Sequence, residues 1–172
     1  MIISQNKINL RKTEEIDLPF VLEQENSEGN RNYIRQWPLE MHKKALSDEN
    51  ILHMIVEDEQ GHPVGYAILA DLHNPSNDIM LQRIVIVVKG KGYGRDVLKA
   101  LKKLAFHTYH AHRLHLLVRT NNDVARKLYL SEGFVEEGTM REFLLIDGVY
   151  HSSVLMSILA DEYEKINAEK LL

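Results

Sequence analysis

The chain has 172 residues, a net charge of −4 and a hydrophobic fraction of 44%, which is enough apolar material for the core of one domain over residues 1–172. The charge gives no general attraction to nucleic acid or to a membrane surface, so neither is expected as a partner. The absence of cysteine excludes disulfides, thiolate zinc sites and cysteine nucleophiles, and it agrees with a cytoplasmic location. We find neither a signal peptide nor roughly 20 consecutive apolar residues that would span a membrane.

The predicted elements follow one another in the order of an α+β domain. Apolar runs bounded by turn residues predict strands, and apolar residues three and four apart predict helices. The predicted strands cover residues 7–12, 51–56, 64–72, 78–88, 113–119, 134–147 and 149–159. The predicted helices cover residues 13–24, 95–109, 122–132 and 160–172, with short helical pieces at 32–37 and 40–46. A glycine-containing turn joins the second and third strands, and Asp147-Gly148 joins the last two, so both pairs are expected to be antiparallel.

A glycine-rich segment joins the fourth predicted strand to the most regular helix. Its pattern, Gly90-x-Gly92-x-Gly94, would present backbone N–H groups to a phosphate at a helix N-terminus, where the partial charge is positive. The same glycines would also permit a plain tight turn. A Walker loop is excluded because Gly94 is followed by Arg95 and Asp96, and the glycine spacing differs from that of the G-x-G-x-x-G dinucleotide motif.

A second motif, N-x-x-A-x-x-x-Y-x-x-x-G-F, extends from Asn122 to Phe134. Together with the segment from Lys89 to Arg95, in this order and at this separation, it resembles the two signatures of the GNAT superfamily of N-acetyltransferases. The resemblance covers residues 64–159. The sequences Gly-Thr-Met-Arg-Glu and Asp-Gly-Val-Tyr of the last hairpin resemble the branch that holds ribosomal-protein N-terminal and spermidine acetyltransferases. One departure is Lys89, where most members have Gln or Arg.

The resemblance implies a mixed, largely antiparallel seven-stranded sheet, flanked by helices and splayed between its fourth and fifth strands. It also implies that acetyl-CoA is the cosubstrate, with its pantetheine arm in the splay and its pyrophosphate on the glycine-rich segment. The cofactor-binding residues carried over on this basis are Ile84, Val85, Ile86, Lys89, Gly90, Lys91, Gly92, Tyr93, Gly94, Arg95 and Asn122. Asn122 could equally serve as a plain N-cap of its helix.

The resemblance assigns Tyr129 as the acid that protonates the departing thiolate. A free thiol has a pKa of about 8.5 and tyrosine one of about 10, so this transfer needs only modest help. The alternative is a tyrosine that simply packs in the core. Glu142 is the candidate base, because relatives place its Arg-Glu segment near the acceptor. An exposed carboxylate without a role and a water relay are open alternatives, and His151 is a minor acid-base candidate across the hairpin.

The acceptor is expected to be a primary amine. A lysine or polyamine amine, with a pKa near 10.4, needs a better base at pH 7 than a peptide N-terminus does. Three hypotheses stand: an acetyltransferase for a small amine or polyamine, one for protein N-termini, and a non-catalytic acyl-CoA-binding module. Tyr129 favours catalysis. The front third favours a cationic small molecule slightly, since Trp37 could wall the acceptor pocket and Glu25, Glu28 and Glu40 could attract a cation.

No metal site is expected, although the chain has nine histidines. His107, His110, His112 and His115 straddle a helix end, a turn and a strand, with no acidic residue among them, whereas a structural zinc site closes four ligands. The terminal hairpin and helix are the surfaces on which we would expect a homodimer to form.

Overall fold

The structure, a computed structural model, describes residues 2–169. Within this range eight strands form one sheet that is flanked by six α-helices. The strands are β1 (Ile2–Gln5), β2 (Ile8–Lys12), β3 (Ile51–Asp58), β4 (Pro63–Ala70), β5 (Asp78–Ile86), β6 (Arg113–Arg119), β7 (Val135–Ile146) and β8 (Val149–Leu159). The helices are α1 (Leu18–Asn26), α2 (Glu28–Arg31), α3 (Leu39–Ser47), α4 (Tyr93–Lys103), α5 (Asp123–Ser131) and α6 (Ala160–Glu169). A 3-10 turn (Glu15–Asp17) precedes α1, and a π-helical turn (Leu104–Thr108) extends α4.

The strand order is β1-β2-β3-β4-β5-β6-β8-β7, and β5 and β6 are the one parallel pair among these neighbours. They pair only from Asp78 with Arg113 to Met80 with His115, and then they diverge. The predicted splay between these two strands is therefore confirmed. The sheet has one strand more than predicted, because the first residues fold back on β2 as the short strand β1.

Helices cover the two faces of the sheet. On one face, α4, its π-helical turn, α5 and α6 pack over the main core, which includes Leu98, Leu114 and Tyr163. On the other face, α1 and α3 cover β3, β4 and β5 over a smaller apolar cluster around Tyr66 and Ile68.

The front third differs from its prediction in detail. α2 lies at residues 28–31, where we predicted a loop, and residues 32–37 are not helical. The predicted helix at residues 13–24 starts as the 3-10 turn, whose N-cap is Glu14, and α1 begins at Leu18. The Thr13 hydroxyl lies 2.8 Å from Nδ1 of His53. The Thr13–His53 contact joins residues 40 apart along the chain, so a local pattern does not contain it.

An irregularity in β5 changes the face on which its side chains lie. The register with β4 shifts after Leu81, so Gln82 is an extra residue in the ladder. Leu81 packs in the main core, whereas Val85 belongs to the cluster under α1. The bulge thereby places Arg83 on the α1 face, beside Glu25.

The C-terminal helix agrees with its prediction as far as it is described, whereas β1 at the other end was not predicted. α6 reaches Glu169, so the last part of the predicted helix, residues 170–172, lies outside the described residues. Within residues 2–169 no helix is long and apolar enough to cross a bilayer.

Candidate active site

A cleft opens where β5 and β6 separate. On the side away from the cleft, β5 remains paired with β4, for example at Ile84 with Ala67. On the other side of the cleft, β6 remains paired with β8 along its whole length. The edges facing the cleft therefore present N–H and C=O groups that no strand uses. Ile84, Val85 and Ile86, the residues predicted to contact the pantetheine arm, lie along this free edge.

The position of that edge depends on a close approach between β4 and β5 at Gly65. A Cβ on Gly65 would overlap the carbonyl oxygen of Val85 and would lie 2.9 Å from Cδ1 of Ile86. Only glycine fits there without a shift of β5, so Gly65 fixes the strand that borders the cleft.

β5 leads into the glycine-rich segment at the N-terminus of α4. Gly90 and Gly92 have φ of +78° and +83°, and an added Cβ at either would meet no atom within 4 Å. The N–H groups of Arg95 and Asp96 donate to the carbonyl of Gly92 at 3.0 and 3.2 Å, which leaves the preceding N–H groups of the first turn without an intrahelical acceptor. Left-handed glycines ahead of a helix N-terminus form an open, concave backbone, which fits the pyrophosphate of acetyl-CoA.

Three cationic side chains belong to this segment. Lys89 and Lys91 are exposed, and partial desolvation lowers the pKa of Lys89. The Arg95 side chain is 49% exposed, and it donates to Oε1 of Glu132 at 2.9 Å and to Oγ of Ser131 at 3.2 Å. Because protein groups already engage Arg95, the two lysines are the freer cations for the pyrophosphate.

Glu132 joins α4 to the end of α5. Its buried carboxylate accepts hydrogen bonds from Arg95 and, at 3.1 Å, from Nζ of Lys102, which also donates to the Glu132 carbonyl at 2.6 Å. α4 begins with Tyr93 and Gly94, which directly precede Arg95. The glycine-rich segment and the helix that carries Tyr129 are thus held in one unit. The sequence analysis missed Glu132, because its partners lie 30 and 37 residues away along the chain.

Tyr129 lies on α5 within the main core. It is 7% exposed, and its ring centroid lies 5.7 Å from that of Phe134. Burial raises the pKa of Tyr129, so its hydroxyl keeps its proton throughout the physiological pH range. Among residues 2–169 none hydrogen-bonds to this hydroxyl, which leaves the proton available to a ligand.

Asn122 is the N-cap of α5. Its Oδ1 accepts a 3.2 Å hydrogen bond from the N–H of Ala125. The capping role of Asn122 is confirmed, and a contact of the same side chain with the cofactor stays a prediction.

The two acid-base candidates of the hairpin lie near the middle of β7 and at the start of β8. The pairing of β7 with β8 skips from Met140 to Leu144, so the residues between them bulge. Glu142 lies in this bulge, exposed, with φ of +51°, and its N–H donates to Oγ of Ser152 at 3.0 Å. His151 is half-buried and lies opposite Leu144. The bulge accounts for the unusual backbone of Glu142 and turns it out of the ladder.

Residues 13–134 match the family described as the acetyltransferase (GNAT) family. The chain belongs to the GNAT family. It is therefore an acetyl-CoA-dependent N-acetyltransferase, with acetyl-CoA as its cosubstrate and a primary amine as its acceptor. Acetyl-CoA supplies the acetyl thioester, and the cleft and glycine-rich segment described above fit its arm and its phosphates.

Relatives of this GNAT domain include two enzymes named spermidine N(1)-acetyltransferase. The enzyme from Vibrio cholerae is 29% identical over 169 residues, covering 92% of this chain and 96% of the relative. That from Escherichia coli K12 is 24% identical over 168 residues, covering 93% and 90%. The crystal structure of the Vibrio cholerae enzyme in complex with CoA and spermine has a TM-score of 0.83 at 27% identity and covers 92% of this chain and 99% of that one.

Two of the histidines considered as metal ligands, His115 and His107, make separate contacts in the GNAT fold. His115 lies 2.7 Å from a carboxylate oxygen of Asp78, and His107 lies 3.1 Å from one of Glu164. In the described part of the chain no three His, Asp or Glu side chains are grouped in a way that could hold a metal ion.

The predicted role of Glu25 is wrong. Glu25 is completely buried, so it cannot attract a cation at the surface, whereas Glu28 and Glu40 are exposed. Trp37 is half-buried, and the Arg83 guanidinium lies 5.1 Å from its ring centroid. This corner of the α1–α3 face is therefore a packed structural network.

A pocket of about 330 Å³ lies between the residues after α2 and the tip of the β7–β8 hairpin. Its polar lining is Asn32, Tyr33, Arg119, Asn121, Asp147 and His151. Sequence reasoning singled out His151 from this set but not Arg119. Arg119 ends β6, in a strand whose alternating pattern gave it no distinguishing signal.

Proposed function

We propose that this GNAT enzyme acetylates the primary amine of a small molecule by direct attack of the amine on the acetyl-CoA thioester. The N–C bond forms, the C–S bond breaks, the amine gives up one proton and the departing thiolate takes one. The observation that carries this proposal is the splay of β5 from β6, which leads directly to the open glycine-rich segment. The cleft then accommodates the pantetheine arm, and the glycine-rich segment accommodates the pyrophosphate. The acceptor approaches from the sheet face on which α1 and α3 lie.

Tyr129 is the proposed proton donor to the thiolate. Its support is a hydroxyl without a hydrogen-bond partner among residues 2–169, on the helix that Glu132 joins to the glycine-rich segment. Burial raises the pKa of Tyr129 and makes it a weaker acid, so the transfer requires a thiolate that is desolvated in the same site. Glu142 is the proposed base. Its exposed position in the β7 bulge supports proton transfer through water. His151 lines the pocket beside Arg119 and is the alternative base.

Polyamines are the acceptor class that the comparisons support, since the relatives above are named for spermidine and one crystal structure contains spermine. The small volume of the pocket supports a small molecule over a folded protein's N-terminus. Identity below 30% leaves room for the pocket residues of this chain to select another amine.

The test is CoA release from acetyl-CoA, with the acetylated product identified by mass spectrometry. The panel contains spermidine, spermine, putrescine, free amino acids, aminoglycosides and short peptides. Acetylation of at least one small amine at a rate far above the amine-free reaction is expected. Acetyl-CoA binding without acetylation of any member would contradict the proposal and support the non-catalytic alternative.

Two further proposals concern the setting of the enzyme. We propose a cytoplasmic location, which the cysteine-free composition supports. We also propose a homodimer through the terminal hairpin, which exposes Phe143, Leu145, Val149 and Tyr150. Sedimentation equilibrium tests the second, and a monomer at 100 μM, roughly the upper range for a specific dimer, would contradict it.

A further inference from the structure

Arg119 is a buried cation without an anion. The residue is 4% exposed, and its Nη1 is buried without a hydrogen-bond partner in the described chain. No carboxylate among residues 2–169 pairs with its guanidinium, and desolvation lowers its pKa. A buried charge is normally paired, because removal from water without compensation is among the costliest events in a protein interior. Arg119 is therefore positioned for an anion that residues 2–169 do not supply.

The pocket that Arg119 lines has no acid to fill this role. Its one carboxylate, Asp147, has a side chain that is 77% exposed and lies 3.7 Å from Nη2 of Arg31. The other polar groups, from Asn32, Tyr33, Asn121 and His151, include N–H and O–H donors that can share in binding an anion. The lining is thus suited to a negatively charged group at the Arg119 end.

The position of Arg119 places this pocket beside the cleft. β5 and β6 are last paired at Met80 and His115, so Arg119, four residues further along β6, lies where the two strands have diverged. Val118 packs in the main core under α4, so strand alternation turns Arg119 to the opposite face. The glycine-rich segment begins α4, which lies on the Val118 side. The anion at Arg119 is accordingly not the cofactor's pyrophosphate but a group that enters from the acceptor face.

We infer that Arg119 binds a carboxylate on the acceptor, so that the amine acetylated by this enzyme belongs to an amino acid or a similar carboxylate-bearing small molecule. The inference rests on the proposed acetyl transfer to a small-molecule amine, but it differs from that proposal on the acceptor class, because a polyamine carries only cations and offers no group for Arg119 to bind. A guanidinium matches a carboxylate in bidentate geometry, which fixes the acceptor's orientation as well as its charge. With the carboxylate held at Arg119, the amine end can point into the cleft.

The test compares acceptors that differ only in a carboxylate: lysine with cadaverine, and ornithine with putrescine. For each pair, kcat/KM is measured with the wild type and with Arg119→Gln. For the wild type we expect kcat/KM to be at least about 10-fold higher with the amino acid than with the diamine. The diamine lacks the carboxylate, and a site built around one charged contact rejects an analogue without that group. Arg119→Gln should bring the two members of each pair within about threefold. Arg31→Gln is the matched control, since Arg31 is half-exposed and already faces Asp147, and it should keep the wild-type preference.

Thermal unfolding separates this role from a structural one. If Arg119 serves only an external anion, Arg119→Gln should keep or raise Tm, because it removes an uncompensated buried charge. Arg119→Lys keeps the positive charge but loses the bidentate geometry of the guanidinium. It should therefore retain part of the preference for the amino acid over the diamine. A loss of Tm in Arg119→Gln with unchanged acceptor preference would overturn the inference.

Two acceptor profiles also overturn it. Equal use of both members of each pair by the wild type, or turnover confined to amines without a carboxylate such as spermidine, would contradict the role of Arg119 while leaving acetyl transfer to small amines intact. The absence of turnover with every amine, in contrast, contradicts the proposed function.

Discussion

The hydroxyl of Tyr66 donates a 2.8 Å hydrogen bond to Oε1 of Glu25, deep between α1 and the sheet. The N–H of Trp37 donates to Oε2 of the same carboxylate at 2.7 Å, and Nε2 of His42 lies 3.4 Å from Oε1. Desolvation alone would raise the pKa of Glu25, but the contacts with His42, Trp37, Tyr66 and Arg83 outweigh it, and the pKa is lowered. Glu25 is therefore an anion around which the α1–α3 region is assembled.

Glu25→Gln should destabilise the fold. The amide cannot replace the charge that faces His42 and Arg83, and it leaves buried groups unpaired, at a cost of about 3 kcal/mol. For a chain of this size we expect Tm to fall by roughly 6–12 °C. Glu23→Gln, on the exposed side of the same helix, is the control and should unfold like the wild type. A Glu25→Gln variant with wild-type Tm would show that the network contributes nothing.

His53 should make the stability depend on pH. Burial lowers the pKa of His53 from 6.5 to about 4, so the folded protein holds it neutral while the unfolded chain takes up a proton below pH 6.5. Stability from this group is complete above pH 6.5 and is lost as pH falls toward 4, by about 3 kcal/mol in all. The lowered pKa of Glu25 adds a loss of the same sign at lower pH.

Urea unfolding at half-unit steps between about pH 3.5 and 7.5, a range that includes the folded-state pKa of about 4 and the unfolded-state pKa of 6.5 for His53, measures this slope. His53→Gln should flatten it by close to one proton, while His73→Gln, at an exposed position after β4, should not. An unchanged slope in His53→Gln would contradict the assignment of the titration to His53.

Tyr129→Phe should lower kcat by about 10²-fold, because the ring and its packing remain while the donated proton is lost. Acetyl-CoA affinity and Tm should hardly change, since no group within residues 2–169 hydrogen-bonds to the hydroxyl. Tyr163→Phe is the matched control, a tyrosine equally buried in the same core, and should keep full turnover. Saturating cofactor and a good acceptor are needed so that amine attack does not mask the donor. Full turnover in Tyr129→Phe would remove the residue from the mechanism and leave water as the acid.

Gly92→Val should abolish acetyl-CoA binding, measured by calorimetry, because its side chain would fill the open space in front of the first turn of α4. It also forces a β-branched residue into a left-handed backbone, which costs about 1–3 kcal/mol on its own. Gly61→Val separates the two effects, since Gly61 has φ of +82°, the same empty surroundings and a position in the β3–β4 turn. Both variants should lose similar stability, and only Gly92→Val should lose the cofactor. Equal cofactor affinity in the two would contradict the assigned segment.

Much of the fold was predictable where one local pattern decides the outcome. The apolar spacing of α4 and α5 is strong, and the helix stop at Gly133 is confirmed by its φ of +93°. Asp147 and Gly148, with φ of +49° and +78°, form the expected hairpin turn. The paired motifs led to the family because each one occurs in a fixed strand, turn and helix context.

What the sequence could not predict depends on contacts between distant residues. Glu25 looks like a surface acid on a short helix, and only its partners Tyr66 and His42 from other elements make it a core group. The bulge around Glu142 is a property of register between two strands, not of either strand alone. Arg119 continues an ordinary strand pattern, and only its lack of a partner in three dimensions distinguishes it.

The divergence of β5 from β6 gives the sheet two inner edges in addition to its outer ones. A ligand that occupies these edges is tied to the folding equilibrium, since each tenfold excess of acetyl-CoA over its Kd adds about 1.4 kcal/mol to the free energy of unfolding. Amide hydrogens of β5 from Leu81 to Ile86 should then exchange more slowly as the cofactor concentration rises. In a cell, the lifetime of this protein against proteolysis would follow the acetyl-CoA supply, so that scarcity of the acetyl donor reduces the amount of enzyme as well as its turnover.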